Sequence, residues 1–363
     1  MEYVQERIAT LHDLTDPVPD APLSDSAVIV PMASREGGSA AADRTLAILS
    51  EVSPGEVIVP LRAPEAAVAE IDRWLSGFDL PLITLWCNGP RLTDLLSEEG
   101  LDGQGGKGTD LWLALGTAAE RGEYVAVHDS DTTSYTAAHV PRLLAPLSTY
   151  GFTKGYYARF EDERLYGRLV RLFVVPLLRA LSEEHDAAIL EYLSAFRYAL
   201  SGEVGMRAEV ARAIRADPGW GFEAGTLGEA FSVVGSEGTA QVDLGTHEHE
   251  HRSVGGDSGL EAMAESVGEA LCRAIEDGGV EPDYGRLPER YREHAEGLIR
   301  SYAADAAFNG LDYDAEVERE QVERYAGAIA PPCADPRLPA WEDAPIHPEE
   351  VLAAAAADLD AVR

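Results

Sequence analysis

The chain has 363 residues, of which 64 are Asp or Glu and 29 are Lys or Arg, giving a formal charge of −35, and 45% are hydrophobic. That length exceeds one ordinary domain and holds enough apolar residues to bury a core, while the lack of any basic tract excludes non-specific nucleic-acid binding. Cys87, Cys272 and Cys333 are odd in number, widely spaced and without a CxxC pair, which excludes a disulfide framework and a zinc ribbon and fits a reducing interior.

In chain order, MEYVQERIATLHDLTD lacks the apolar stretch of a signal peptide, and no run approaches the ~20 apolar residues of a spanning helix. A soluble, cytoplasmic protein with no membrane partner is expected. After a polar lead, residues 26–32 (SAVIVPM) read as a buried strand and 40–49 as a helix. Residues 55–60 form a second strand, 65–75 a helix, 81–87 a third strand, 107–121 a helix and 124–128 a fourth strand. Apolar strands alternating with helices predict an open, mainly parallel α/β sheet covered on both faces. Beyond Phe152 the pattern turns to longer helices, at 165–181, 209–216, 260–275, 288–304 and 314–330, separated by short Gly-rich pieces. A terminal helix closes the chain, and no internal repeat is present.

In such sheets ligands bind beyond the carboxyl ends of the strands. The polar motifs that follow strands are therefore the places to search. His128-Asp129-Ser130-Asp131 follows the fourth strand directly, and alternating residues of an extended segment point the same way. Asp129 and Asp131 could thus present hard oxygen ligands to Mg2+ or Mn2+, ions that complete their shell with substrate phosphates. A turn that only caps the next helix is the competing account.

GQGGKG (103–108) opens a helix, placing backbone amides and Lys107 where an anion could sit. Only two lysines occur, Lys107 and Lys154, against 27 arginines. A chain that so rarely uses lysine yet keeps Lys107 calls for a compact ammonium there. The same bias, with acid spread along the whole chain, resembles haloarchaeal proteins, whose carboxylate surfaces are tolerable once molar salt shortens the Debye length to about 3 Å.

QVDLGTHEHEHRS (241–253) begins as a strand and carries His247, His249 and His251 at alternate positions, so an imidazole could join the aspartates on the metal. In WGFEAGTLGE, Glu223 is either a partly buried catalytic carboxylate with a raised pKa or a helix cap. Arg168 and Arg171 fall one helical turn apart, either to grip an acidic acceptor or to pair with the protein's own acid.

Taken in order, GGKG, VHDSD, FTKGYYARF, YGRLVRLFVVPLLRAL, YALSGEVGMR, GWGFEAGTLGEAF and AQVDLGTHEHEHR, over about residues 100 to 252, resemble the glucosyl-3-phosphoglycerate synthase family. These are retaining GT-A glycosyltransferases that include mannosyl-using relatives. The resemblance implies transfer from a nucleoside-diphosphate sugar, typically UDP-glucose, to the 2-hydroxyl of 3-phosphoglycerate. It implies metal ligation by Asp129, Asp131 and His249, with Asp129 also near the nucleotide and Asp131 counted with the catalytic residues. Lys107 falls on the nucleotide-contacting lysine, Glu223 beside the donor sugar, and Pro31, Met32, Ala33 and Glu36 on the first-strand motif. Gly167 and Arg168 fall on the acceptor site. His251 there stands in place of a family asparagine, and Val170 replaces a hydroxyl residue. After the second strand, VIVPLRAPEAA stands where relatives carry an acidic, glycine-serine run.

The expected architecture is a GT-A α/β fold: a lead at 1–25, a nucleotide-sugar half at 26–150, an acceptor half at 151–256 and a helical extension at 257–363 that offers a homodimer surface. A mannosyl-3-phosphoglycerate synthase or a GT-A enzyme with another acceptor is the nearest alternative. A sugar-1-phosphate nucleotidyltransferase and a non-catalytic nucleotide-sugar-binding protein are the others.

Overall fold

Apolar runs become strands where the chain must be buried on both sides. In order they are β1 (Ala9–Leu11), β2 (Ser26–Ile29), β3 (Met32–Ala33), β4 (Glu56–Arg62), β5 (Leu82–Trp86), β6 (Tyr124–Val127), β7 (Phe152–Ala158), β8 (Phe160–Glu161), β9 (Arg164–Leu165), β10 (Val204–Arg207) and β11 (Thr239–Thr246). The helices are α1 (Ala40–Val52), α2 (Glu65–Leu75), α3 (Pro90–Glu98), α4 (Lys107–Ala119), α5 (His139–Leu144), α6 (Val175–Ser182), α7 (Ala188–Ala195), α8 (Ala208–Ala213), α9 (Phe222–Val234), α10 (Gly256–Asp277), α11 (Leu287–Asn309), α12 (Ala315–Ala326) and α13 (Pro348–Val362). The structure is a computed structural model that describes residues 7–103, 105–161, 164–248 and 256–363.

One nine-stranded sheet has the order β1-β11-β7-β10-β6-β2-β4-β3, with β5 also on β4, and β8 and β9 form a separate hairpin. Strand β10 runs antiparallel to β6 and β7, whereas the other pairings described in this sheet are parallel. Successive side chains leave a strand on opposite faces. Ala27 and Ile29 of β2 therefore enter the core shared with Leu111, Trp112 and Leu115 of α4, and Val28 and Val30 the core shared with Leu46 and Leu49 of α1. No helix among the described residues is long and apolar enough to cross a membrane.

Several boundaries differ from the sequence reading. The first strand is split, because Pro31 has no N–H to give a ladder; β2 ends at Ile29, and β3 resumes on β4 alone. The expected helix at 165–181 starts only after Gly167, whose φ of +77° favours glycine. Its first stretch, Val170–Val174, is a π-helical turn. Pro176 there cannot donate to the Leu172 carbonyl, which accepts instead from the Tyr291 hydroxyl of α11 at 2.6 Å. The sequence reading places none of strands β1, β7, β8, β9 and β10 or of helices α3, α5 and α7.

The end of the chain returns to the first half. Asp358 of α13 accepts from the amides of Arg91 and Leu92 at the start of α3, acting as its cap from a distance. Trp341 stacks on Trp112 of α4 with ring centres 4.2 Å apart and donates to the Trp112 carbonyl.

Candidate active site

Parallel strands β2, β4 and β6 end at one edge of the sheet, and antiparallel β10 enters it there. Val204 pairs with both Val127 and Lys154, so the turn 201–203 comes to lie beside the segment that follows β6. In that segment Ser130 is buried and donates from Oγ to the Pro31 carbonyl at 3.1 Å, while Asp129 and Asp131 on either side are half-buried. Burial thus alternates along HDSD, with His128 and Ser130 inside and the two aspartates less covered.

Lys107 is the first residue of α4. Its Nζ lies 2.8 Å from Oδ1 of Asp129 and 2.9 Å from Oε1 of Glu223, which stands in the first turn of α9. Burial works against the ammonium, but the two carboxylates outweigh it and hold Lys107 well above the usual lysine range. Glu223 thus meets Lys107 rather than capping its helix.

The glycines around Lys107 serve close packing. A Cβ would stand 1.8 Å from the Asp217 carbonyl at Gly108, and 2.9 Å from the Pro218 carbonyl at Gly106. The amide of Thr109 donates to the Pro218 carbonyl at 3.0 Å, so this helix start spends an amide on the protein itself rather than on an anion. Asp110, one residue on, is held by Arg62 through two bonds of 2.8 and 2.6 Å. Arg62 lies in the stretch that departs from the family pattern. Glu36 is buried, accepts from the Ala33 amide and pairs with Arg35.

Behind Asp129 lies a buried row of rings. His128 meets the Tyr135 hydroxyl at 3.0 Å, and the Tyr135 ring lies 4.8 Å from that of His139. Burial lowers both histidines to about 4, so each is neutral at pH 7. Lys154 of β7 is buried with its Nζ 2.7 Å from the Ser201 carbonyl. Burial brings it down to about 8, against the pull of Glu223 and Glu203.

Asp129 already faces one cation, the Lys107 ammonium, and with Asp131 it offers the carboxylate oxygens that Mg2+ or Mn2+ prefers. These residues fit such an ion. Among the described residues no group of three His, Cys, Asp or Glu side chains makes a complete metal cage. His249, the third expected ligand, and His251 lie outside the described residues. Glu248, immediately before His249, is tied to the aspartate segment: its carbonyl accepts from the Thr133 amide at 2.8 Å, and its amide donates to Ser134 Oγ at 3.1 Å. His247 is buried and stacks on Tyr157, so it does not share a solvent edge with its neighbours.

The arginines expected to hold the acceptor meet an internal acid. Glu318 of α12 is buried and receives Arg168 Nε at 3.0 Å on one oxygen and Arg171 Nη1 at 3.0 Å on the other. The terminal nitrogens of Arg168 take no hydrogen-bond partner among the described residues, and its side chain is 43% exposed. Sequence reasoning missed Glu318, and it quoted the turn 201–203 within YALSGEVGMR without giving it a task. The first is some 150 residues from Arg168, and the second acts through backbone atoms that no side-chain pattern marks.

No protein-family model matches the chain. It is 32% identical over 356 residues to the glucosyl-3-phosphoglycerate synthase of Methanococcoides burtonii, covering 91% of this chain and 88% of that one. To the enzyme of the same name from Persephonella marina it is 34% identical over 305 residues, covering 77% and 75%. The crystal structure of glucosyl-3-phosphoglycerate synthase from Mycobacterium tuberculosis in complex with Mn2+, UDP-glucose and phosphoglyceric acid matches with a TM-score of 0.58 at 24% identity, covering 77% of this chain and 90% of that one, which is a likeness of fold. On these two sequence matches, this chain belongs to the glucosyl-3-phosphoglycerate synthase family.

Proposed function

We propose that the protein transfers glucose from UDP-glucose to the 2-hydroxyl of 3-phosphoglycerate with retention of configuration, using Mg2+ or Mn2+. The observation that carries this reading is the cluster of Lys107, Asp129 and Glu223 at the carboxyl edge of the parallel strands, in a chain of this family. Asp129, Asp131 and His249 are the residues that would hold the ion. When bound, it supplies a Lewis acid that neutralises charge on the departing diphosphate. Lys107 contributes a fixed positive charge at the same corner, preorganised by its two carboxylates. Glu223 orients the sugar rather than forming a covalent adduct, and Arg168 offers its terminal nitrogens to the acceptor's phosphate.

The bond between the anomeric carbon and the diphosphate oxygen breaks. The acceptor's 2-hydroxyl oxygen bonds to that carbon from the same face, and its proton leaves on the departing phosphate. The acidic surface motivates a salt-rich assay. In molar KCl with Mg2+, UDP-glucose, GDP-glucose and GDP-mannose are offered against 3-phosphoglycerate and glycerate, and products are weighed by mass spectrometry. A hexosyl-phosphoglycerate from UDP-glucose is expected. Product from GDP-mannose alone would move the donor, and no phosphorylated product from any pair would overturn the reading.

A further inference from the structure

Lys154 is the second of the chain's two lysines, and the reaction just described gives it no task. It lies within β7, with 1% of its surface exposed, and its Nζ donates to the Ser201 carbonyl at 2.7 Å. That carbonyl belongs to the turn that leads into β10. The turn is fastened twice more to the same strand: Ser201 Oγ donates to the Gly155 carbonyl at 2.6 Å, and the Gly155 amide donates to the Glu203 carbonyl at 2.9 Å.

What the turn presents to Asp129 is Gly202. A Cβ on Gly202 would stand 2.5 Å from Oδ2 of Asp129 and 2.9 Å from its carboxyl carbon. The backbone here is thus a wall against one oxygen of Asp129, while Lys107 holds the other at 2.8 Å. A carboxylate confined between an ammonium and a backbone has its direction set by where that backbone stands. The backbone, in turn, stands where Lys154 ties it. A buried ammonium is costly without partners, and one of only two lysines in the chain stands here to make a single-point bond to that carbonyl, where a guanidinium would bring a planar fork of donors.

We infer that Lys154 is a positioning residue for Asp129: through the Ser201 carbonyl it fixes the turn 201–203, and the turn fixes the direction in which Asp129 presents its carboxylate to the divalent ion. This rests on the proposed role of Asp129 as a metal ligand.

The test is Mn2+ affinity, read from the free-ion electron paramagnetic resonance signal of the full chain with UDP present, together with the Mn2+ dependence of turnover. Lys154→Met keeps the length and loses the bond; Lys154→Gln keeps a donor without the charge; Gly202→Ala presses on Asp129 from the other end of the contact. We expect Lys154→Met and Gly202→Ala each to weaken Mn2+ binding about tenfold, with the KM for 3-phosphoglycerate changed less than twofold, and Lys154→Gln to recover most of the loss. A folded Lys154→Met that binds Mn2+ as tightly as the unaltered chain would overturn the inference while leaving the metal reading intact. If Lys154→Met does not fold, unchanged Mn2+ affinity in Gly202→Ala overturns it equally. Failure of the unaltered chain to bind Mn2+ in the presence of UDP would remove the metal reading, and this inference with it.

Discussion

The residues proposed for the donor and those proposed for the acceptor handle charge in opposite ways. At the proposed donor end, Lys107 is drawn inward between Asp129 and Glu223, and both carboxylates come from segments that the sequence already marks. At the proposed acceptor end, Arg168 and Arg171 are drawn toward Glu318, a carboxylate on α12 that no local motif announces. One is a cation caged by two carboxylates from the first and second halves of the chain; the other is a pair of cations anchored by an acid from the C-terminal helices. The difference teaches that those helices support the proposed acceptor residues: without α12, Arg168 would have no fixed partner among these contacts.

The comparison breaks most visibly at the donor end. Asp131→Ala is expected to lower kcat/KM by roughly a thousandfold, since a Lewis acid's stabilisation of a leaving diphosphate amounts to several kcal/mol. Steady-state rates under saturating Mn2+ check this, and a loss below tenfold would place the ion elsewhere. Lys107→Met leaves Asp129 and Glu223 facing one crevice without their shared ammonium, and costs roughly a hundredfold in kcat/KM for the donor. Lys107→Arg should not restore it, because Lys107 bridges two acids from one point, which a planar fork does not reproduce.

How far the sequence foretold these ends follows the same division. The cluster of Lys107, Asp129 and Glu223 was legible because each member sits at a strand end or a helix start: Asp129 after β6, Lys107 at the first position of α4, Glu223 in the first turn of α9. Period and punctuation locate such places. Strand β10 was not legible, since four residues with Gly205 among them carry too little apolar pattern, and β7 carries Lys154 in its interior, where a strand is normally apolar. Helix α3 had a signal that went unused, a proline at its first position. The partnership of Arg168 with Glu318 is purely tertiary. Nothing in the order of residues pairs position 168 with 318.

The acceptor end is sharpened by a milder change. In Glu318→Gln the side chain keeps its shape, but the charge that holds Arg168 Nε and Arg171 Nη1 is gone. We expect the KM for 3-phosphoglycerate to rise about tenfold, the worth of one charge-assisted bond, with the KM for UDP-glucose unchanged. A rise in both would mean that α12 steadies the whole crevice rather than its acceptor end.

The smallest effect separates the ends by pH. His128 and His139 stand behind Asp129 and are lowered to about 4 by burial, whereas the Arg168–Glu318–Arg171 cluster contains no histidine. Between pH 6.5 and 4 the unfolded chain binds protons at these positions that the folded chain refuses, so stability present above pH 6.5 is lost as the pH falls through that window. Each histidine then costs about 1 kcal/mol between pH 7 and pH 5.5. Urea unfolding at the two values should show the loss, and His139→Asn, whose amide oxygen can still accept from the Thr136 amide as Nδ1 does, should remove about half of it. Hydrogen exchange at pH 5.5 should loosen the 128–139 segment before α12. The reverse order would mean that the acid anchor at Glu318, and not the neutral rings under Asp129, is the weaker support of the site.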